Sequence, residues 1–160
     1  MKKFNFKRVI TMGIAAVIAV SAMSISAFAA ETIYVGNDVT MTTYSENEFE
    51  RPLPMTVDMT FSTTLTTTMQ YLKSAETGSQ ILTLSDDETE LVVAFSKSPS
   101  STMYTTLYDV TDGKYLMNNV GPHSLDRIVS FTRLSKNHKY KIGFKTSIGS
   151  ERVSGSITSN

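Results

Sequence analysis

The sequence predicts an all-β protein built as a single antiparallel β-sandwich, and three observations support this fold class. Many short stretches alternate apolar and polar side chains with the two-residue period of a half-buried strand. Polar turns separate these stretches at spacings of roughly 8–12 residues, which is typical of sandwiches and barrels. After residue 30, no stretch shows a helical pattern. The residues from 31 to 160 are enough for one domain with one core.

The first thirty residues are predicted to be a secretory signal peptide and to be removed before folding. An apolar run of about twelve residues, 9–20, ends before an A-x-A motif at 27–29, and four basic residues precede it: Lys2, Lys3, Lys7 and Arg8. The run is shorter than the roughly 20 residues that a membrane-spanning helix needs. We therefore expect cleavage near Ala29-Ala30, secretion into the medium or envelope, and no membrane span in the mature chain.

Charge and cysteine content exclude several classes of function. The chain has 15 basic and 15 acidic residues, but four of the basic ones and none of the acidic ones lie in the leader. The mature chain is thus mildly acidic, with a net charge of about −4, and lacks the clustered positive charge expected of a nucleic-acid-binding protein. The absence of cysteine excludes disulfides, thiolate catalysis and cysteine-type zinc sites. Together with the leader, it indicates a bacterial secreted protein.

The first half of the mature chain opens with residues 32–35 and 39–43 around Gly36-Asn37-Asp38, which are predicted to form a hairpin or an edge strand. Pro52 and Pro54 lack the N–H group that a central strand must donate, so residues 45–54 are predicted to form a loop. Alternation resumes at Met55 and continues through a threonine-rich stretch to Leu72, which favours strand because threonine is β-branched. The turn within this stretch is not located by the pattern.

The second half supplies the remaining strands, for a total of about nine or ten. The apolar run 91–95 suits a strand buried on both faces, and Asp112-Gly113 predicts a hairpin turn between 103–110 and 114–117. Residues 118–124 contain Gly-Pro and are predicted to form a loop. The other predicted strands are 80–84, 126–134, 139–146 and 151–158, the last of which is expected to pair with 139–146 through the turn at 147–150.

The strand at 139–146 carries a more specific signal. Tyr140, Ile142 and Phe144 share one parity and three lysines share the other, which predicts one buried and one wet face. Leu134 lies six residues before Tyr140, across the polar turn 135–138. This spacing resembles the tyrosine corner of immunoglobulin-like and fibronectin-type sandwiches, in which the tyrosine hydroxyl bonds the backbone upstream. The resemblance covers about a dozen residues and implies architecture only.

Three tyrosines are the candidate ligand-binding residues. Tyr104 and Tyr108 share a parity on one strand, and Tyr115 lies on its hairpin partner. Because tyrosine is amphipathic, such a row can stack on sugar rings or on peptide side chains. The alternative interpretation is that the three rings half-bury at the edge of the sandwich.

Acidic residues at two turns are the candidate metal ligands. Asp86, Asp87 and Glu88 cluster at one turn, and Asp109 with Asp112 flank the predicted hairpin; either group offers oxygen ligands to calcium. The spacing matches no EF-hand loop, and acidic residues at turns often bond their own backbone. No other cofactor is expected.

Catalytic motifs are not found. The chain has neither a G-x-S-x-G elbow nor an H-E-x-x-H zinc motif. Its two histidines, His123 and His138, follow turn residues and are predicted to be ordinary solvated side chains. We expect a non-catalytic accessory or adhesion-like module that binds a cell-wall glycan or an extracellular protein. The alternative is a small secreted hydrolase or hydrolase inhibitor, because triads are spatial and need not appear as a motif.

Overall fold

The computed structural model describes residues 30–45 and 57–160. The predicted signal peptide and most of the predicted loop at 45–54, with Met55, lie outside the described residues. The described ranges hold eleven strands and no helix: β1 Glu31–Gly36, β2 Val39–Tyr44, β3 Met59–Leu65, β4 Gln70–Tyr71, β5 Leu82–Thr83, β6 Leu91–Phe95, β7 Met103–Asp109, β8 Lys114–His123, β9 Ile128–Thr132, β10 Lys139–Thr146 and β11 Glu151–Ser159. No helix long and apolar enough to cross a membrane occurs in these ranges.

The strands form two antiparallel sheets that pack together as a sandwich, which confirms the predicted fold class. The six-stranded sheet has the order β1-β2-β9-β6-β11-β3, and the five-stranded sheet has the order β4-β10-β7-β8. The short strand β5 also pairs with β10, beside Lys139 and Tyr140, while β4 pairs with the same strand beside Gly143 and Phe144. Two short strands therefore share one edge of β10.

Both predicted hairpins form. Asn37 and Asp38 have positive φ angles of 47° and 63°, as a two-residue turn of the primed type requires, and they connect β1 to β2. Gly113 has a φ of 66° and lies in the turn between β7 and β8. In both places the residue types of the turn predicted the connection correctly.

The core lies between the two sheets and is rich in aromatic rings. Phe61 of β3 packs edge-on against Phe95 of β6, with ring centroids 5.9 Å apart, and Phe95 meets Phe144 of β10 at 5.7 Å. Edge-to-face contacts of this kind add stability beyond the area they bury. Phe95 thus connects its own sheet to the opposite one.

The tyrosine corner is formed. The Tyr140 side chain is 0% exposed, and its hydroxyl accepts the Ser135 N–H at 2.9 Å and donates to the Ser135 carbonyl at 3.1 Å. In immunoglobulin domains, the strand that carries the corner pairs with the next strand in one sheet. Here β10 and β11 belong to different sheets, so the corner is shared with that fold and the connectivity is not.

The pairing of β11, the end of β8 and the start of β3 differ from the sequence prediction. β11 pairs with β3 and β6 and not with β10, because the turn at 147–150 crosses between the sheets. β8 continues through the predicted loop 118–124 to His123, since irregular pairing with β7 accommodates Gly121 and Pro122. Val57 precedes β3 and is 46% exposed; the alternation there begins to bury side chains only at Met59.

The threonine-rich stretch is not one continuous strand. β3 ends at Leu65 in the six-stranded sheet, and β4 begins at Gln70 in the other sheet. The turn that the pattern could not locate is therefore a crossover between the sheets. The predicted strand at 80–84 is likewise reduced to β5, two residues long.

Candidate functional site

The three tyrosines predicted to bind a ligand lie on the outer surface of the five-stranded sheet. Along β7 the residues at odd positions from 103 to 109 are buried, so Tyr104, Thr106 and Tyr108 point away from the core. Tyr115 on β8 lies directly opposite Tyr108. We call this surface the tyrosine face and define it by six residues: Tyr71, Tyr104, Tyr108, Tyr115, Lys141 and Lys145.

Tyr108 and Tyr115 are in contact. Their ring centroids lie 4.9 Å apart with the rings tilted by 59°, and Tyr115 is 49% exposed. Directly opposed residues on antiparallel strands approach within the reach of two aromatic rings. The pair therefore offers a fixed aromatic edge to solvent.

Tyr71 is a member of this face that the sequence did not single out. It pairs with Gly143 of β10, where a Cβ atom would lie 3.0 Å from Met69 Sδ and 3.2 Å from the Tyr71 ring. The missing side chain thus allows Met69 and Tyr71 to lie against the sheet. No local signal could have found Tyr71, because it reaches the face only through pairing with a strand seventy residues away.

The hydroxyl of Tyr71 belongs to a small phenolic cluster. Burial, a hydrogen bond with Tyr115, and the nearby hydroxyls of Tyr115 and Tyr108 together raise the pKa of Tyr71 to about 12. Each of these effects disfavours the phenolate. The Tyr71 hydroxyl therefore stays neutral over the whole ordinary pH range.

Two lysines of β10 stand among the tyrosines. Lys145 Nζ lies 4.7 Å from the centroid of the Tyr104 ring, and Lys141 Nζ lies 5.9 Å from the centroid of Tyr71. Both distances are within the range of a cation–π interaction. On the predicted solvent-exposed face of β10, the lysines thus lie beside tyrosine rings from the neighbouring strands β4 and β7.

Two adjoining grooves cross the face, on either side of Met69 and Tyr71. The first has a volume of about 330 Å³ and is lined by Met69, Tyr71, Thr106, Tyr115, Asn118 and Asn119. The second has a volume of about 310 Å³ and is lined by Thr63, Met69, Gln70, Tyr71, Lys73 and Gln80. Each is at the lower end of the roughly 300–1,000 Å³ found for small-molecule pockets. The described residues that line them carry aromatic, amide, hydroxyl and thioether groups and one ammonium group, that of Lys73, and none carries a carboxylate.

The predicted calcium ligands at 86–88 are engaged with different protein donors. Asp86 accepts from Asn137 Nδ2, Asp87 from Ser85 Oγ, and Glu88 from the Ser85 N–H and from Ser159 Oγ. The hydrogen bonds from Ser159 and then from Ser85 lower the pKa of Glu88. The carboxylates thus fasten a turn to its neighbours, and calcium binding there stays a prediction.

A group of three possible metal ligands forms at the second predicted cluster, with a histidine added. Ligand atoms of Asp109, Asp112 and His138 lie within 4.8 Å of one another. His138 Nδ1 is 2.8 Å from Asp109 Oδ2 and 4.0 Å from Asp112 Oδ1. One imidazole and two carboxylates suit zinc better than calcium, which prefers oxygen ligands alone. Without a metal, the Asp109 carboxylate and the His138 imidazole lie within hydrogen-bond distance, and this contact joins the β7–β8 turn to the start of β10.

Asp112, the most exposed carboxylate of these three possible metal ligands, also pairs with a lysine. Lys114 Nζ lies 2.7 Å from Asp112 Oδ2. This hydrogen bond lowers the pKa of Asp112 and raises the pKa of Lys114. Asp112 is therefore already neutralised from one side.

The expectation that both histidines are ordinary solvated side chains was wrong. The His138 side chain is 23% exposed and contacts the buried carboxylate of Asp109. The Nε2 atom of His123 is buried without a hydrogen-bond partner, and burial lowers the pKa of this imidazole. Both positions follow turn residues, and the structure turns each ring toward the protein.

The chain matches no protein-family model, and no curated protein is similar to it.

Proposed function

We propose that this protein is a secreted, non-catalytic β-sandwich that binds an extracellular glycan of the cell wall through its tyrosine face. The observation that carries the proposal is that Tyr71 and Tyr115 line one groove on an open sheet surface, with the Tyr108 ring in contact with Tyr115. The flat, weakly polar side of a sugar ring packs on an aromatic ring, and hydroxyl and amide groups nearby can bond its oxygens.

The chemistry of the two grooves supports binding over turnover. Glycoside hydrolysis usually needs two carboxyl groups on either side of the scissile bond. None of the residues that line the two grooves is aspartate or glutamate. A sugar held there would meet rings, amides, hydroxyls and the Lys73 ammonium, which orient a ligand without supplying the pair of carboxyl groups.

Secretion is supported by the four basic residues, the apolar run and the A-x-A motif within residues 1–30. The protein should therefore be recovered from the medium or the envelope with a new N-terminus near Glu31. Mass spectrometry of the exported protein tests this directly. A mass equal to the full chain in the cell interior would contradict it.

The binding test is retention of the exported protein on purified cell-wall glycan. We expect the protein to sediment with the insoluble glycan, and Tyr115→Ala and Tyr108→Ala each to weaken retention at least about fivefold, since aromatic anchors carry much of the energy of a binding surface. Tyr34→Ala, on β1 of the other sheet, is the matched control and should retain binding. Equal retention of all variants, or none by the unchanged protein, would contradict the proposal.

The alternative function is a small secreted hydrolase, and one observation favours it. Asp109 and His138 stand at 2.8 Å, as the carboxylate and imidazole of a catalytic triad do. Turnover of ester, peptide or glycan substrates that His138→Ala abolishes, and His123→Ala does not, would establish this alternative.

A further inference from the structure

We propose that the ligand of the tyrosine face is an anionic glycan, a sugar chain that carries negatively charged groups. This inference rests on the proposed function and adds the ligand's charge and length to it. It follows from the placement of lysines among the tyrosines and from the absence, among the described residues, of acidic side chains between them.

The face is positive on a domain that is acidic. The described residues contain ten lysines and arginines against twelve aspartates and glutamates. Three of the ten share the outer side of β10, namely Lys139, Lys141 and Lys145. On β7, Tyr108 lies opposite Lys141 and Tyr104 lies opposite Lys145. The nearest acidic side chain in the β7–β8 turn, Asp112, is paired with Lys114. An anionic ligand therefore meets cations without competing carboxylates.

The shape of the surface fits a chain of several sugars. Lys139 and Lys145 are six residues apart on one strand, which corresponds to about 20 Å. The two grooves share Met69 and Tyr71 as a common wall, so a ligand can run from one to the other across the Tyr71 ring. Met69 and Tyr71 pack over Gly143 in the middle of the lysine row, so the wall between the two grooves lies between Lys141 and Lys145.

The composition of the face disfavours a membrane surface as its target. Proteins that bind at a lipid interface insert large apolar side chains beside their basic residues. The exposed large apolar residues in the described ranges are Val35, Val57, Ile81, Tyr115 and Ile148. Tyr115 alone belongs to the tyrosine face, and its hydroxyl is engaged with Tyr71.

The test compares two soluble polymers by calorimetric titration of the exported protein. We expect polygalacturonate, which carries a carboxylate on each ring, to bind and neutral dextran of similar length to bind at least about tenfold more weakly. Binding of polygalacturonate should weaken as salt rises above about 0.15 M, because exposed charges are screened over about 8 Å there.

Two double variants each remove two positive charges, one on the tyrosine face and the other on the opposite sheet's side of the protein. Lys141→Gln with Lys145→Gln should weaken polygalacturonate binding by roughly fivefold for each lysine and reduce its salt dependence. Lys97→Gln with Arg152→Gln removes one cation just after β6 and one on β11, both strands of the other sheet, and should bind like the unchanged protein. Equal effects of the two double variants would overturn the inference.

The outcomes separate this inference from the proposed function. Equal binding of dextran and polygalacturonate, or wall retention that needs Tyr115 but not the lysines, would overturn the anionic ligand and leave a neutral glycan. No retention on wall glycan at all would overturn the proposed function itself. Tighter binding to vesicles of phosphatidylglycerol, or to oligothymidylate, than to polygalacturonate would assign the face to lipid or nucleic acid and also overturn the inference.

Discussion

The hydroxyl of Tyr140 bridges both backbone groups of Ser135, accepting its N–H at 2.9 Å and donating to its carbonyl at 3.1 Å. The ring is fully buried, and His138 stacks near it with ring centroids 6.3 Å apart. One side chain therefore fixes the turn that carries the chain from β9 in one sheet to β10 in the other.

Removing this hydroxyl should destabilise the protein without changing its fold. We expect Tyr140→Phe to lower the free energy of unfolding by about 1–2 kcal/mol, because two hydrogen bonds are lost while the ring stays packed. Urea denaturation measures the change. The control is Tyr34→Phe, whose hydroxyl makes a long 3.4 Å contact with the Leu116 carbonyl; it should change the stability by less than about 0.5 kcal/mol. Equal effects would show that the corner is not stabilising.

Glu151 should make the stability depend on pH in the acid range. Burial would raise the pKa of Glu151, but hydrogen bonds from Ser100 and Ser101 outweigh it, so the pKa lies below the ordinary value of 4.5. A carboxyl whose pKa is lowered by folding stabilises the protein above its unfolded pKa. That contribution is lost as the pH falls through the lower folded value.

The variant Glu151→Gln tests this relationship. At pH near 7 it should lower the free energy of unfolding by about 1–3 kcal/mol, since an amide cannot accept at both ends. The difference from the unchanged protein should shrink as the pH falls below 4.5. Urea unfolding at a series of pH values measures it, and a difference that stays constant with pH would contradict the assignment. Glu88, whose pKa is also lowered, remains in both proteins.

Gly155 should not tolerate a side chain. It lies in β11 between β3 and β6, where a Cβ would overlap the carbonyl oxygen of Ala94 and lie 2.9 Å from the Phe61 ring. We expect Gly155→Ala to lower the free energy of unfolding by about 1–3 kcal/mol, because the sheet must shift to admit the methyl group. Thermal unfolding provides the measurement. Ser156→Ala, one position along the same strand, is the control and should be near neutral; a neutral Gly155→Ala would contradict the close packing.

The phenolic cluster should be visible by titration. Because a hydrogen bond with Tyr115 and its nearby charge help to raise the pKa of Tyr71 to about 12, Tyr115→Phe should lower that pKa. It should stay above the ordinary value of 10.0, since burial is the largest cause of the shift. NMR of the labelled tyrosine rings follows each ionisation separately. As a control, Tyr104→Phe should leave the pKa of Tyr71 unchanged. If Tyr115→Phe also leaves it unchanged, the hydroxyls of Tyr71 and Tyr115 are not hydrogen-bonded, which would contradict the cluster.

The local sequence pattern correctly predicted features that depend on residues close in sequence, namely strand faces and tight turns. The alternation of β10 predicted its buried and wet faces, and Asp112-Gly113 predicted the β7–β8 hairpin. Pairing between distant strands could not be predicted in this way: the partner of β11, the course of β8 past Gly121, and the arrival of Tyr71 beside Gly143 all depend on tertiary packing. The same limit applies to the site. Tyr104, Tyr108 and Tyr115 were found from one hairpin, whereas the grooves needed a strand from elsewhere.

The sequence identified which charged groups could act as ligands but not which groups they contact. Asp109 and Asp112 were predicted as candidate metal ligands because they flank a turn. His138 joins them only because the turn before β10 folds back onto the β7–β8 turn. Glu151 gave no signal, since its donors Ser100 and Ser101 lie about fifty residues earlier. A sequence pattern records which residues can ionise, and the fold decides what faces them.

The position of β11 sets an order on the folding of the chain. In the six-stranded sheet, β3 pairs with β11, with Met59 opposite Ile157. An early strand therefore cannot join the sheet until a strand about a hundred residues later has been synthesised. Contacts this far apart in sequence form slowly because a long loop must close first. A nascent chain with this topology cannot complete its sandwich until β11 has been synthesised. The delay favours an unfolded chain, the form needed for the export proposed for this protein.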